Sequence, residues 1–250
     1  MWQRPQFEAT KNRALLDLVV FTRDKPALGI DLGEEDGFPE GYDLPATISI
    51  RTAALDTHAD RFASFLEGPF RELAADQIGD DAANAISDAR HAVSIEGKID
   101  DPADLRHLQV VRAFQRFLAR TVGAVAIAND LSLRWQDAAP LALADPPDAV
   151  RVDDWIEVLY DDELRGLHTR GMAQFARPDI AVFDAPEDTL ARAAHVLRRI
   201  GELEAFGKVF ADGAAVEVDG QELRLALLDA ARCEALAVAR GTLVLSGISY

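Results

Sequence analysis

The chain has 250 residues, and its 43 acidic and 26 basic side chains give a formal net charge of −17 at pH 7. Nucleic-acid binding needs a basic face that neutralises phosphates, and anionic membrane surfaces repel acidic proteins, so the charge argues against both kinds of partner. It is compatible with a protein partner that has a basic surface or with a cationic ligand, although a large net charge also serves solubility alone.

Cys233 is the only cysteine, so an internal disulfide and a cysteine-rich zinc site are excluded. The N-terminal residues are of mixed polarity and lack the apolar core of a secretory signal. The longest apolar run, residues 122–128, is too short to span a bilayer. We therefore expect a cytoplasmic protein with a buried, structural cysteine and no membrane-spanning segment, and the sequence indicates no cofactor.

The first part of the chain predicts strands and one helix. Residues 15–21 and 47–51 have the apolar and alternating patterns that are typical of strands, and residues 27–32 could pair with the first of them. Apolar residues then recur at helical spacing from Thr57, a candidate N-cap, to Leu73. Pro69 is expected to kink or divide this helix.

The segment from His91 to Ala128 predicts a β–α–β unit. Residues 91–95 form the first strand, and Asp101 with Pro102 resembles a helix start, with an N-cap side chain before a proline. One apolar stripe continues to Leu118, and Gly123 ends the helix before a buried strand over 125–128.

The second part of the chain predicts strands over 155–160 and 180–183 and a helix that begins at Pro186. Asp219-Gly220 is a strong hairpin signal, and Arg240-Gly241 is a weaker one. Residues 234–239 could form a strand of this second hairpin, and the alternative is a short helix over residues 233–239.

These elements predict an α+β fold with mixed, mainly antiparallel sheets and about three main helices packed on them. The stretch 141–153 is rich in Ala, Asp and Pro and is the best candidate for a linker. We therefore expect two α+β halves, residues 1–140 and 154–250, which could also form one continuous domain.

Sequence motifs of the common catalytic classes are absent. The chain has no P-loop, no dinucleotide-binding glycine motif, no H-E-x-x-H zinc motif and no G-x-S-x-G nucleophile motif. The segment 167–180 is the least generic stretch, and we expect it to be a loop between two strands. It holds residue types that place protons and bind anions, since His168 could act as a general base, and Arg170 and Arg177 are cationic. The alternative is a purely structural connection.

The candidate binding residues are His91, His168, Thr169, Arg170 and Asp179. If His91 and His168 reach one pocket with Glu96 or Asp179 nearby, they could form a metal or acid–base site. Histidines and carboxylates at unrelated positions are a weak signal, so no metal ligand and no catalytic residue is assigned.

The stretch from His168 to Ile180 also resembles a segment of a family of uncharacterised bacterial domains. The family pattern is His-Thr-x-Gly-Met-x-x-Phe-x-x-Pro, followed by Asp or Glu and then Ile or Leu, and this chain matches it at every specified position. A second similarity is a His that opens an apolar strand, as His91 does. Family members often have Gly where this chain has Ala176, which argues against a special turn there. The resemblance implies a shared α+β fold and supplies no catalytic residue.

Two functional hypotheses follow. The first is a non-catalytic binding or regulatory protein that contacts another macromolecule, because catalytic motifs are absent and the charge is strongly negative. The second is an enzyme of unrecognised type, hydrolytic in character, that uses the 168–179 segment. The sequence gives no oligomeric state.

Overall fold

The computed structural model describes residues 2–27, 36–162, 165–235 and 243–246. The chain divides into two compact units. The first unit takes the described residues of Met1–Gln3, Leu15–Ile99 and Asp104–Val150, and the second takes those of Arg4–Ala14, Asp100–Ala103 and Arg151–Tyr250. The second unit thus includes two short segments that lie well before residue 141. The predicted boundaries of the two halves stay a prediction.

The first unit is built on a mixed set of strands and helices. In chain order these are β1 (Arg13–Thr22), β2 (Ile48–Ala54), α1 (Leu55–His58), α2 (Ala63–Leu66), α3 (Pro69–Ile78), α4 (Asp80–Ala85), β3 (His91–Asp100), α5 (Arg106–Thr121), β4 (Ala124–Asn129), β5 (Arg134–Asp137) and α6 (Ala139–Leu143). The strands form a sheet in the order β2-β3-β1-β4-β5. The pairs β2–β3, β1–β4 and β4–β5 are antiparallel.

From Leu18 onward, the central strand β1 is buried on both faces because its alternate residues pack against different elements. Val19 and Phe21 join a core with Phe62, Phe65 and Trp135, which the helices after β2 supply together with β5. Leu18 and Val20, which alternate with them on β1 and face the other way, are buried as well. The amphipathic helix α5 packs against β4.

The helix predicted from Thr57 to Leu73 is divided into shorter pieces. Helix α1 begins at Leu55, so the prediction of Thr57 as an N-cap was wrong. Glu67 is extended and ends α2, and Gly68, the N-cap of α3, has a φ of 83°, which favours glycine. Pro69 then occupies the first turn of α3, where a backbone N–H would have no intrahelical acceptor, so proline loses no hydrogen bond there. The predicted division at Pro69 is confirmed.

The helix predicted to start at Asp101 and Pro102 begins five residues after Asp101, at Arg106. The side chain of Asp101 does not cap the helix because it accepts hydrogen bonds from distant residues that are described below. Strands β3 and β4 flank this helix in the chain as predicted, but β1 lies between them in the sheet. The β–α–β unit is therefore split.

The second unit contains a larger sheet and one long helix. Its elements are β6 (Glu157–Asp161), β7 (Gly166–Arg170), β8 (Ile180–Phe183), α7 (Leu190–Ala205), β9 (Ala215–Val218), β10 (Gln221–Leu227), α8 (Ala230–Ala235) and β11 (Leu243–Ser246). The strand order is β6-β7-β8-β11-β10-β9. The pair β8–β11 is parallel, and the pairs β6–β7, β7–β8, β9–β10 and β10–β11 are antiparallel.

Helix α7 closes the core of the second unit. Its apolar stripe, which includes Leu197 and Ile200, packs with Ile180 and Leu225 of the sheet. The first turn after Pro186 is a 3-10 turn, so the α-helix starts at Leu190. Gly207 lies just past the helix end with a φ of 110°.

The structure confirms the α+β class with mainly antiparallel sheets, and α3, α5 and α7 are the longest helices among the described residues. The hairpin at Asp219-Gly220 is confirmed, with φ values of 51° and 77°. Cys233 is buried in α8, which agrees with the short-helix alternative over residues 233–235. The rest of that segment, the turn at 240–241 and most of 27–32 lie outside the described residues. None of the described helices has the length and apolar character needed to cross a membrane.

Candidate functional site

The segment predicted as a loop is mostly a strand and a tight turn. His168, Thr169 and Arg170 lie on β7, which pairs with both β6 and β8, so the prediction of a loop from residue 167 was wrong. A 3-10 turn over 172–175 follows, and residues in the left-handed region flank it, Gly171 with a φ of 104° and Ala176 with a φ of 56°. The special turn at Ala176 therefore exists although the residue is not glycine.

Asp179 is a structural acceptor at the base of this turn. Its Oδ1 accepts a hydrogen bond from Thr169 Oγ1 at 3.2 Å and another from the Met172 N–H at 3.3 Å. Thr169 Oγ1 in turn accepts one from the Ile180 N–H at 2.9 Å. Asp179 is only 7% exposed. Burial raises the pKa of its carboxyl and outweighs the hydrogen bond from Met172 and the charge of Arg170, which lower it, so that the pKa is about 6.

His168 is enclosed between its neighbours in the sheet. It lies opposite Leu159 on β6 and Ala181 on β8, and it is 6% exposed. Its Nδ1 atom has no hydrogen-bond partner. Burial lowers the pKa of the imidazole, and the charge of Arg170 lowers it further. The neutral ring is therefore favoured at neutral pH, in a position with little exposure to solvent.

The five predicted site residues do not all belong to one unit. His168, Thr169, Arg170 and Asp179 are in the second unit, where Thr169 and Asp179 are hydrogen-bonded. His91 opens β3 in the first unit, opposite Ala54. Within the described ranges, no group of three or more His, Cys, Asp or Glu side chains is placed to hold a metal ion.

A buried ionic cluster, which the sequence did not predict, lies at the end of α7. Asp101 accepts from Arg4 Nη1 and from Arg177 Nη1, each at 2.8 Å, and from the Thr10 hydroxyl at 2.9 Å. Burial alone would raise the pKa of Asp101, but the hydrogen bonds from Arg177, Arg4 and Thr10 outweigh it and hold this pKa below its usual value. We refer to Arg4, Asp101 and Arg177 as the ionic cluster.

The two guanidinium groups also bind backbone carbonyls at the C-terminal end of α7 and just after it. Arg4 donates to the carbonyl oxygen of Ala205 at 3.1 Å, and also to that of Phe175 in the 3-10 turn at 3.0 Å. Arg177 donates to Gly207 at 2.9 Å and Lys208 at 3.2 Å. Because the last carbonyls of a helix lack intrahelical partners and carry partial negative charge, these bonds act as a C-terminal cap. The role of the ionic cluster is structural.

Glu204 lies near the ionic cluster and is an unpaired carboxyl. It is 1% exposed, and neither carboxyl oxygen has a hydrogen-bond partner. Burial raises its pKa well above the usual value; the charge of Arg177 lowers it and that of Asp179 raises it. The protonated form is therefore favoured, which removes most of the cost of burying the group.

An open cavity lies elsewhere, on the face of the first unit's sheet. Its volume is about 540 Å³, and we name it the Asp17 cleft. Strands β1, β2 and β3 form its floor, and the turn after β4 contributes Leu131. The lining residues are Leu15, Leu16, Asp17, Thr47, Ser49, Glu96, Gly97, Lys98 and Leu131.

The cleft is open because the helices after β2 cover only part of this sheet face. On β1, Val19 and Phe21 lie beneath Phe62 and Phe65, whereas Asp17, two residues earlier on the same face, does not belong to that core. The face therefore changes from apolar to polar along β1. The result is a polar recess beside a packed core.

A smaller pocket of about 180 Å³ joins the cleft beside α2, and we name it the α2 pocket. Asp17 and Glu96 line both cavities. Arg61 donates to Ser94 Oγ at 3.3 Å and to Glu96 Oε1 at 3.0 Å. The other lining residues are Val19, Phe62, Ser64, Phe65 and Asp130.

Asp17 lines both cavities, and no cationic side chain of the described residues neutralises its carboxylate. The Asp130 N–H donates to the Asp17 carbonyl oxygen at 3.1 Å, which holds the turn after β4 beside it. Burial, together with the smaller effects of the charges of Asp130 and Glu96, raises the pKa of Asp17 to about 6. Among the described residues, Asp17 has no ion-pair partner. The sequence signal was an aspartate inside an apolar strand, but its neighbours Glu96 and Asp130 are distant in the chain.

Comparison with known proteins finds no match for this chain among protein-family models, curated proteins or solved structures. The resemblance of residues 168–180 to the uncharacterised bacterial family stays a prediction. Functional inference therefore depends on the geometry and charge of the two units.

Proposed function

We propose that the chain is a non-catalytic binding protein whose Asp17 cleft takes a basic segment of a protein partner. The proposal rests on the position of Asp17 in the cavity and on the absence of an ion-pair partner for it among the described residues. Its half-buried carboxylate lines an open cavity, has no ion pair and has a pKa raised to about 6 by burial and two neighbouring acids. A cation beside Asp17 would favour the ionised form and relieve the repulsion.

The charge of the whole chain supports the same class of partner. A net charge of −17 attracts a basic surface over a distance of about 10 Å at moderate salt, and it accelerates the encounter. The specific contacts then depend on the cleft. Nucleic acids and anionic membranes are repelled by the same charge.

The burial of the 168–179 segment weighs against the alternative of a hydrolytic enzyme. A substrate would have to reach His168 and Asp179, which are 6% and 7% exposed. The hydrogen bonds of Asp179 hold Thr169 and Met172 of its own chain in place. These features support a structural role for the segment and a functional role for the open face of the first unit. We further propose a cytoplasmic protein, because its single cysteine is buried and reduced thiols are typical of that compartment. A bacterial origin is proposed only from the resemblance of residues 168–180 to the bacterial domains.

The proposal is tested by selecting ligands without assuming a partner. A phage library of random twelve-residue peptides is panned on the full chain, and peptides that also bind Asp17→Asn/Asp130→Asn are removed. We expect the remaining peptides to be enriched in Lys and Arg. Their affinity for the double variant, measured by fluorescence anisotropy, should fall about tenfold, since about 1.4 kcal/mol of electrostatic interaction is lost.

The matched control is Asp56→Asn/Asp76→Asn, which removes the same charge from two exposed positions that line neither cavity. It should bind the selected peptides as the unmodified chain does. Equal losses in the two double variants would show that only net charge attracts the peptides, and the proposal would be abandoned. Failure to select any peptide that depends on Asp17 and Asp130 would also contradict it.

A further inference from the structure

We infer that residues 4–12 form a strap that stays docked on the C-terminal end of α7 while the buried side chain of Glu204 is neutral, and that undocks when this side chain loses its proton. We name residues 4–12 the N-terminal strap. The strap and Glu204 both belong to the second unit, so this pH-sensitive device does not depend on the proposed function of the Asp17 cleft.

The N-terminal strap is held to the end of α7 by hydrogen bonds to backbone carbonyls. The Gln6 N–H donates to the Phe206 carbonyl at 3.1 Å. The Glu8 N–H donates to the Gly207 carbonyl at 2.9 Å. Apart from Arg4, every residue of the strap is exposed or half-buried. Because a segment with few buried contacts opens at a lower cost than a whole domain, the strap can leave α7 while the rest of the second unit stays folded.

Glu204 lies in the stretch of α7 to which the strap is bound, since its own carbonyl accepts a hydrogen bond from Arg4 Nη2 at 3.4 Å. Its side chain is buried without a partner: the residue is 1% exposed, and neither carboxyl oxygen takes part in a hydrogen bond. An ionised carboxylate in such a position is strongly unfavourable, so the group keeps its proton. Burial accordingly raises the pKa of Glu204 well above its usual value.

The two guanidinium groups nearest to Glu204 have no N–H group to spare for it. Arg4 and Arg177 each make five hydrogen bonds to other groups, which is the full number of donors of an arginine side chain. Arg177 Nη2 donates to the Glu8 carbonyl of the strap at 2.8 Å, and Arg4 is itself a residue of the strap. An ionised Glu204 could therefore gain a guanidinium partner only at the expense of the bonds that hold this part of the fold.

The charged groups around this end of α7 come from the strap, from the segments before α5 and before β8, and from the residues after α7: Arg4, Glu8, Asp101, Asp179, Arg177 and Lys208. The charge of Arg177 favours the ionised form of Glu204, and that of Asp179 opposes it. Since the pKa of Asp179 is about 6, the opposing charge is present above that pH. Asp101, whose pKa is lowered, stays ionised and already binds both guanidinium groups.

The pH dependence of docking has a definite sign. The docked form keeps a proton on Glu204 that the undocked form releases, because undocking brings the carboxyl into contact with water. Docking is therefore strongest at low pH and weakens as pH rises towards the pKa of Glu204 in the docked form.

Amide hydrogen exchange of the full, isotope-labelled chain, followed by NMR, tests this device. Protection factors, which are corrected for the intrinsic effect of pH on exchange, are measured for Gln6 and Glu8 at several pH values. We expect them to fall about tenfold or more between about pH 5 and about pH 8. Leu225, whose N–H donates to the Ala214 carbonyl in the same unit, should be more strongly protected than either residue at every pH.

Three variants identify the group that controls the strap. Glu204→Gln is uncharged at every pH, so its strap amides should vary less than about twofold over the same range. Glu202→Gln removes a carboxylate that is 40% exposed, two residues earlier on α7, and should retain the fall of the unmodified chain. Asp179→Asn removes a charge that raises the pKa of Glu204, so protection should fall less and level off at a lower pH. Thermal denaturation at about pH 5 verifies that each variant folds, and Glu204→Met replaces Glu204→Gln if the latter does not fold.

Three results would overturn the inference. A fall as large in the Glu204 variant as in the unmodified chain would show that another group controls the strap. Protection of Gln6 and Glu8 that is absent, or constant with pH, in the unmodified chain would show that docking does not respond to Glu204. Equal protection of these two residues and of Leu225 would show that the strap opens only when the whole unit unfolds.

Discussion

Arg4 and Asp101 form a buried ion pair, with Arg4 Nη1 2.8 Å from Asp101 Oδ1, although 97 residues separate them in the chain. The pair ties the segment that contains Arg4 to the second unit, because the same guanidinium donates to carbonyls at the end of α7. The N-terminal segment is therefore part of the folded core of that unit.

We predict that Arg4→Met lowers the free energy of unfolding of the second unit by about 3 kcal/mol, since it leaves one side of a buried charge pair and several carbonyls without a donor. Urea denaturation measures this change. The control is Arg13→Gln, whose ion pair with Asp100 is solvent-exposed, with side-chain exposures of 63% and 92%. That change should cost less than about 1 kcal/mol. Similar losses in the two variants would contradict the structural role of the ionic cluster.

Asp179 makes stability depend on pH with a definite sign. Its pKa is raised from 3.8 to about 6, so the folded state keeps a proton that the unfolded state releases. The unmodified chain should therefore lose up to about 3 kcal/mol of stability from this group as pH rises through that interval. Asp179→Asn removes this loss. The stability of the variant relative to that of the unmodified chain should therefore be higher at pH 7 than at pH 4. Urea denaturation at several pH values across this range tests the prediction, and Asp76→Asn, at an exposed position, is the control. If stability depends on pH in the same way in Asp179→Asn and in the unmodified chain, the prediction is refuted.

Ala176 is strained because an alanine occupies the left-handed region, with a φ of 56°. Glycine adopts this conformation without the Cβ clash, so Ala176→Gly should raise stability by about 1 kcal/mol. Ala173→Gly, inside the neighbouring 3-10 turn, should lower it, because glycine there adds only backbone entropy to the unfolded state. Calorimetric melting of both variants checks the prediction. A lower melting temperature for Ala176→Gly would mean that lost packing of the buried methyl group dominates.

Binding of a basic peptide to the Asp17 cleft should strengthen as pH rises from about 5 to about 7. Asp17 has a pKa of about 6 in the free chain, so it is largely protonated at the lower pH and ionised at the higher one. We expect a several-fold gain in affinity over this range for the unmodified chain, measured by anisotropy. The same titration on Asp17→Asn should be nearly flat, and equal pH dependence in both proteins would show that another group controls binding.

The local parts of the fold could be predicted from the sequence, because short-range patterns determine them. The apolar run at 15–21 gave β1, the strand at Ile180–Phe183 was correct, and Asp219-Gly220 formed its hairpin. The prediction for Asp101 was wrong for a long-range reason. Its local sequence is that of a helix cap, but Arg4 and Arg177 compete for the same carboxylate.

The site was less predictable, because its members are brought together only by folding. The sequence drew attention to His168 and Asp179 as chemically versatile residues, and the structure places both in the interior. Asp17 was visible as a polar residue within an apolar strand. Its role could not be predicted, because Glu96 on β3 and Asp130 after β4 become its neighbours through sheet pairing and a turn.

The most direct test of the proposed cation binding at the Asp17 cleft is the pKa of Asp17, measured from its carboxyl carbon signal in an NMR pH titration. The account predicts a value of about 6 in the free chain and a lower value in the presence of saturating N-acetyl-lysine methylamide, because a bound cation favours the carboxylate. A pKa that stays the same when this probe is added, or that is already near the usual 3.8 in the free chain, would contradict it.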